Sequence, residues 1–319
     1  MIGAAGLPGA PHRDSARRYR QGMDTSAPAA PVVVVTGAGG GLGAATTALY
    51  ASRGWHVVAV DLQAPPGGDR ITPHAADVTD STSLTALADR VRREHGRLDA
   101  LVTFAGVLGI GPLAETDPDR VQQVLDVNVM GTVRTVHALW DLLRETRGRV
   151  VLISSETGPQ HGMPMNGAYA MSKHAIEAYG DALRRELMFL GLDVVLVQPG
   201  PFRTGMTASI RRRFQESTAP GSPFAAMAAV MGEMAAGEDD KATDPSVLAE
   251  AVWTAGTTAR PRRRYAVRWD LGRRLLDHLP VAVVDKALVL ALGGKINAKT
   301  LELRREAVDA RAEMSEVVE

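Results

Sequence analysis

The chain of 319 residues has no cysteine. That removes disulfides, Cys-ligated metals and a thiol nucleophile, and it gives no support to a secreted disulfide scaffold. Net charge is missing as well. Thirty-six Lys and Arg balance thirty-six Asp and Glu, so no global field recruits nucleic acid or an anionic membrane. Lysine itself is scarce, and the dominance of arginine reads as coding bias from a GC-rich genome. Long apolar runs are lacking too. The run from Val281 to Leu292 is interrupted by Asp285 and Lys286 and is too short to span a bilayer, although peripheral membrane contact stays open. Residues 1–30 carry almost no large apolar side chains and are expected to be disordered. Their arginines (Arg13, Arg17, Arg18, Arg20) are followed by no apolar stretch, which argues against a secretory signal. Met23 offers an alternative start. No His/Asp/Glu cluster has metal-ligand spacing, so no metal is expected.

What remains is 45% hydrophobic and 23% charged, the balance of an ordinary soluble globular protein. Pro31 to Thr36 reads as a fully buried strand. It runs into Gly37-Ala-Gly-Gly-Gly-Leu-Gly43, then a helix from Ala44 to Arg53, then a strand from His56 to Val60 that closes on Asp61. Strand, Gly-rich turn, helix, strand and acid in about 30 residues make a dinucleotide-binding unit. Glycines let the backbone approach a pyrophosphate, and the helix N-terminus supplies N–H groups. Asp61 is placed for ribose hydroxyls and repels a 2′-phosphate. Further strands are expected at Ile71–Ala75, Ala100–Phe104, 150–154 and Asp193–Val197. Helices are expected over Ser81–His95, Asp119–Thr146 and Gly167–Leu190. The β-α rhythm predicts an α/β fold, a single Rossmann-type doubly wound parallel sheet flanked by helices.

One stretch, Val150 to Lys173, concentrates the chemistry. It begins as a strand with Ser154 and Ser155 at its carboxyl end, where open α/β sheets bind ligands. It ends in a helix carrying Tyr169 and Lys173, four residues apart and therefore on one face. A tyrosine that moves the proton of an alcohol near neutral pH needs its pKa of about 10 lowered by roughly two to three units. A neighbouring ammonium and a cationic nicotinamide ring are the right charges for that. A Tyr-x-x-x-Lys spacing alone arises by accident in roughly one chain of ten like this, so the weight rests on the rest of the pattern.

With Tyr169-Ala-Met-Ser-Lys173 behind Ser155, and Thr36-Gly37-x-x-x-Gly41-x-Gly43 at the front, the chain resembles the short-chain dehydrogenase/reductase family over about residues 31–205. The resemblance implies that Gly37, Gly41, Leu42 and Gly43 hold the cofactor phosphates and that Asp77 and Val78 contact adenine. It implies that Ala105 and Gly106 follow the fourth strand, and that Pro199, Gly200 and Thr204 cover the nicotinamide. Asn128-Val-Met-Gly131 matches the family's Asn-Val-x-Gly, with Asn128 kinking its helix to hold a water on a proton relay. Tyr169 is implied as acid/base, Lys173 as the group that lowers its pKa and holds the ribose, and Ser155 as the partner of the substrate oxygen. Ser155 is preferred to Ser154 because it precedes Gly158 by three, as in the family's Ser-x-x-Gly. Two departures stand out. Phe104 occupies the place of the family's Asn and is expected to alter sheet packing, and the Ser155–Tyr169 loop is slightly long. Asp181 to Leu187 and Gln198 to Thr204 are similar to the branch acting on retinoids, steroids and related lipids.

After Gly200 the family fold places a variable lid, here at about 202–240. Met206, Met227, Met231 and Met234, with Phe202, Phe214 and Phe224, argue for an apolar cleft, because methionine fills irregular gaps against varied ligands. Met163 and Met165 are candidates for the opposite wall, and residues 220–223 for a hinge. His161 is expected on the loop surface, and the arginine runs at 211–213 and 260–264 as solvated faces. The expectation is a dehydrogenase domain over 31–292 with a charged, helical tail at 293–319. It prefers NAD over NADP, interconverts a hydrophobic secondary alcohol and its ketone, and works in the cytoplasm as a homodimer or homotetramer. A silent dinucleotide sensor and a sugar-nucleotide epimerase or dehydratase are the rivals. The intact Ser/Tyr/Lys/Asn set argues against the first and the glycine spacing against the second.

Overall fold

The computed structural model describes residues 30–203, 210–239, 243–269 and 279–316. Among these, seven strands form one parallel sheet in the order β3-β2-β1-β4-β5-β6-β7. They are β1 (Val32–Thr36), β2 (His56–Asp61), β3 (Ile71–Ala75), β4 (Ala100–Thr103), β5 (Arg149–Ile153), β6 (Val194–Pro199) and β7 (Arg264–Val267). The strand order reverses between β1 and β4, and the crevice at their carboxyl ends is where such sheets take ligands. In register, Thr36 lies beside Val60 on one flank and Thr103 on the other.

The strands read as unbroken apolar runs because both faces are covered. Alternate residues serve different layers. Val32, Val34, Val58, Leu101, Leu152 and Leu196 pack on one side with Leu84, Leu87 and Ile176, from α2 (Ser81–Glu94) and α6 (Gly167–Leu187). Val33, Val35, Val57, Val102 and Val151 pack on the other with Tyr50, Leu248 and Val252, from α1 (Gly41–Ser52) and α9 (Pro245–Thr257). Asp80 caps α2 by accepting from Thr82 and Ser83 amides at 2.9 and 3.3 Å, which fixes where the helix starts.

Between β4 and β5 the expected long helix is broken. It comprises α3 (Pro118–Leu125), a widened π turn over Asp126–Met130, α4 (Gly131–Ala138) and α5 (Trp140–Thr146). The π turn adds one residue around Asn128, where the resemblance had placed a kink. Beyond β6 the lid contains α7 (Ile210–Gln215) and α8 (Ala225–Asp239), joined through a turn with Gly221 at φ +81°. The last helix, α10 (Val281–Glu316), runs without interruption across the expected boundary at 292, and it packs on α8. No helix among the described residues is long and apolar enough to cross a membrane.

Candidate active site

The glycine turn leaving β1 is a cradle that side chains would fill. Gly37 sits at φ +71°, and a Cβ there would lie 2.6 Å from the Ala105 amide nitrogen; a Cβ on Gly43 would collide with the Gly37 carbonyl. No side chain caps the first turn of α1, so the amides of Gly41, Leu42 and Gly43 are donors for an anion. Asp61 ends β2 and accepts from the amides of Gly39 at 2.9 Å and Leu62 at 2.8 Å. The turn and the acid thus face one another, as binding of a dinucleotide requires. Asp77 follows β3 and takes the Thr79 amide and hydroxyl on one oxygen. Val78 is buried, and a Cβ on Gly131 would stand 2.7 Å from it, so the glycine of Asn-Val-x-Gly lets α4 close over the Asp77-Val78 corner.

Asn128 is buried in the π turn. Its Oδ1 accepts from the Val107 amide at 2.7 Å, and its Nδ2 donates to the Val107 carbonyl and to Ser172 Oγ, both at 3.0 Å. The Thr132 hydroxyl donates to its carbonyl at 2.9 Å. Its side chain therefore ties the loop after β4 to α6, the helix that carries Tyr169 and Lys173.

Lys173 is buried and donates from Nζ to the Ile153 carbonyl at 3.0 Å. Its ammonium lies 5.5 Å from the centre of the Tyr169 ring. Burial lowers it to about 8, opposed by the negative charge of Glu177. The Tyr169 phenol is pushed up to about 12 by burial; a hydrogen bond with the Ser155 hydroxyl pulls it down, and the Glu156 carboxylate pushes it further up. In the protein alone, desolvation sets the direction of the phenol's shift, opposite to the lowering that proton transfer near neutral pH requires. Ser155 Oγ also accepts the Thr157 amide at 3.3 Å, so its one proton is what it offers to the Tyr169 oxygen or to a substrate oxygen beside it. Gly158 is required because a Cβ would lie 2.5 Å from Ser154 Oγ and 3.0 Å from Glu177 Cγ. That gives the Ser-x-x-Gly spacing a packing reason.

Ser155, Tyr169 and Lys173 share a cleft of about 340 Å³, which Asp61, Asp77 and Asn128 do not line. Leu42, Phe104, Gly106, Ser155, Tyr169, Lys173, Pro199 and Gly200 line it; Ala105 lies behind, packed into the core. Phe104 both packs against the sheet core and faces the cleft, more than the altered packing expected of it. From the lid side come Phe202, Ile210, Phe214, Met231 and Met234, with Met163 opposite. Met165 forms a small core with Phe214 and Ala228, on which Met227 and Met231 both pack; Met165 and Met227 do not line the cleft. Met165 adopts φ +65°, and neither it nor Phe224 lines the cleft. Thr204 and Met206 lie outside the described residues.

The sequence left several neighbours unnoticed. Glu177 is buried one turn beyond Lys173; it accepts from Gln198 Nε2 at 2.8 Å and from Arg264 Nε at 2.9 Å. The i,i+4 spacing from Lys173 was the available signal. Arg264, read as part of a solvated run, also pairs with Asp181 at 3.0 Å. Glu156 and Gln160 are buried cleft residues on a loop that offers no periodic signal. His161 is half-buried, with Nε2 enclosed rather than on the surface.

The sequence model of the short chain dehydrogenases matches residues 31–215. The chain belongs to the short-chain dehydrogenase family. Retinol dehydrogenase 16 of Rattus norvegicus is 31% identical over 274 residues, 79% of this chain and 86% of the relative. The 17-beta-hydroxysteroid dehydrogenase type 6 of Homo sapiens is 30% identical over 280 residues, covering 80% and 87%. A solved short-chain dehydrogenase from Streptomyces avermitilis superposes with a TM-score of 0.66 at 26% identity, covering 83% of this chain and 96% of that one. This short-chain dehydrogenase is thus an oxidoreductase that acts on CH–OH groups with a nicotinamide dinucleotide.

Proposed function

We propose that the protein is an NAD-preferring dehydrogenase that interconverts a bulky hydrophobic secondary alcohol and its ketone. The observation that carries this reading is the composition of one cleft. Ser155, Tyr169 and Lys173 meet on a wall whose surroundings are Ile110, Met163, Ile210, Phe214, Met231 and Met234. Apolar surface buried there contributes about 25 cal/mol per Å², so a large apolar skeleton gains most of its affinity from the lid. The retinol and hydroxysteroid dehydrogenases among the relatives agree with a steroid-, retinoid- or terpenoid-like skeleton.

Ser155 donates its proton to the substrate oxygen and holds it against Tyr169. Tyr169 takes the hydroxyl proton in oxidation and returns it in reduction. Lys173, fixed by the Ile153 carbonyl, favours the phenolate and is placed to hold a ribose hydroxyl. When bound, the nicotinamide supplies the carbon that exchanges hydride and, oxidised, a positive charge beside the phenol. Asp61 stands at the end of β2 with Ala38 and Leu62 near it and no cation at either position, which favours a free ribose 2′-hydroxyl over a 2′-phosphate.

The test is cofactor fluorescence with NAD and NADP against steroids, retinoids, terpene alcohols and fatty alcohols, with small polar alcohols for comparison. A large apolar alcohol should give the highest kcat/KM. A small polar alcohol winning would overturn the reading.

A further inference from the structure

Two polar groups in the cleft take no part in the chemistry above. Gln160 is 5% exposed and lines the cleft, and its Nε2 has no hydrogen-bond partner among the described residues. Thr157 lines the same cleft, and its Oγ1 is likewise enclosed without a partner. They lie three residues apart on the loop that leaves Ser155. Buried side-chain polar atoms are paired in the large majority of cases. Ser154 Oγ and His161 Nε2 on the same stretch are enclosed without a partner among the described residues as well, and Thr157 and Gln160 are the two beyond the serine pair whose residues line the cleft; such a cluster is what a site shows when its ligand provides the missing partners. The neighbouring wall is apolar, formed by Met163 and Pro164, so it competes for neither atom.

We propose that Gln160 and Thr157 form a polar subsite for a second oxygen on the substrate, away from the carbon that exchanges hydride. The inference rests on the hydrophobic-alcohol reading and sharpens it. The substrate is an apolar skeleton with two oxygen functions, one at Ser155 and Tyr169 and one at Gln160 and Thr157. A hydroxyl or carbonyl fits. The Gln160 amide donates to it, and the Thr157 hydroxyl can donate or accept, so a hydroxyl pairs with both. A substrate lacking the second oxygen leaves both atoms unpaired in a desolvated pocket, and that is how hydrogen-bonding sites reject analogues.

The experiment measures kcat/KM for matched pairs on three skeletons, bicyclohexyl, decalin and a saturated steroid. Each pair comprises a secondary mono-alcohol and analogues with a second hydroxyl or keto group at each far position. On at least one skeleton the wild type should prefer a two-oxygen member by about 10–100-fold. Gln160→Met, similar in length and apolar, should reduce that ratio at least tenfold. Thr157→Val, which replaces the hydroxyl by a methyl, should move it in the same direction and decides the matter if the first variant does not fold. Mono-alcohols turned over without any preference, or a ratio unchanged in the folded variants, would overturn the subsite while leaving the hydrophobic-alcohol reading intact. Failure of every skeleton in the wild type would overturn both.

Discussion

Lys173 reaches back across the sheet edge to the Ile153 carbonyl at 3.0 Å, so the ammonium of α6 is locked to the last residue of β5. The next two residues are Ser154 and Ser155. This hydrogen bond, with the one between Ser155 and Tyr169, ties the serine on the strand end to the tyrosine on the helix. It also places a charge where burial disfavours it, lowering the lysine to about 8.

That burial has a sign that can be measured. The folded value lies below the unfolded 10.5, so the unfolded chain binds the proton first as pH falls. Stability contributed by Lys173 is complete above about pH 10.5, declines down to about pH 8, and is constant below. Lys173→Met should melt higher than wild type at pH 7, by on the order of 1–3 kcal/mol after the lost Ile153 contact. The gap should narrow toward pH 10.5, and turnover should collapse. A melting difference independent of pH in thermal scans of the cofactor-free protein would contradict this.

Tyr169→Phe keeps the ring and removes the proton carrier. Cofactor binding by fluorescence should persist while kcat falls on the order of 10²–10⁴-fold. Ser155→Ala should lower kcat as well, because the hydrogen bond that draws the phenol down is lost. Near-wild-type turnover by the phenylalanine variant would exclude the tyrosine as acid/base.

Asn128→Ala leaves the Val107 amide and carbonyl and the Ser172 hydroxyl without their shared partner. At about 1–3 kcal/mol for an unsatisfied buried group, urea unfolding should show a loss of about 2–4 kcal/mol. Turnover should fall because α6 loses its tie to the loop after β4. An unchanged midpoint would mean that the three contacts contribute little.

The β-branched runs at 32–36 and 56–60 announced strands because both of their sides are buried, and the glycine turn between β1 and α1 announced itself by spacing. Tyr169 and Lys173 were legible for the same reason: four residues on a helix put two side chains on one face. The break at Asn128 was legible only through the resemblance, whose Asn-Val-x-Gly places a kink there; the apolar spacing alone read as one long helix. Arg264 looked like one more surface arginine. Its partner Glu177 lies 87 residues away in sequence, and no local pattern records such a meeting. The same holds for Gln160, whose environment is made by elements that close on the loop from elsewhere.

Asp61→Ala should narrow the preference for NAD over NADP. Asp61 holds the Gly39 and Leu62 amides, so a modest loss of NAD affinity should accompany the gain for NADP. Equal kcat/KM with both cofactors in the wild type would contradict the role given to this carboxylate.

The lid methionines separate by position, and that gives the sharpest test of the cleft. Met231 and Met234 line it, and Met231 also packs on the small core of Met165, Phe214 and Ala228; Met227 packs on that core without lining the cleft. Met231→Ala and Met234→Ala should raise KM for a large apolar alcohol by roughly three- to thirtyfold, because each removes apolar contact worth about 1–2 kcal/mol. A small alcohol, which does not reach the lid, should lose much less. Met227→Ala should instead lower the melting temperature through a packing defect of about 1–2 kcal/mol, with a smaller effect on KM. Steady-state kinetics on a large and a small secondary alcohol, with thermal melts of all three variants, distinguish the two classes. If Met227→Ala raises KM for the large alcohol as much as Met231→Ala does, the boundary drawn here between cleft wall and lid core is misplaced.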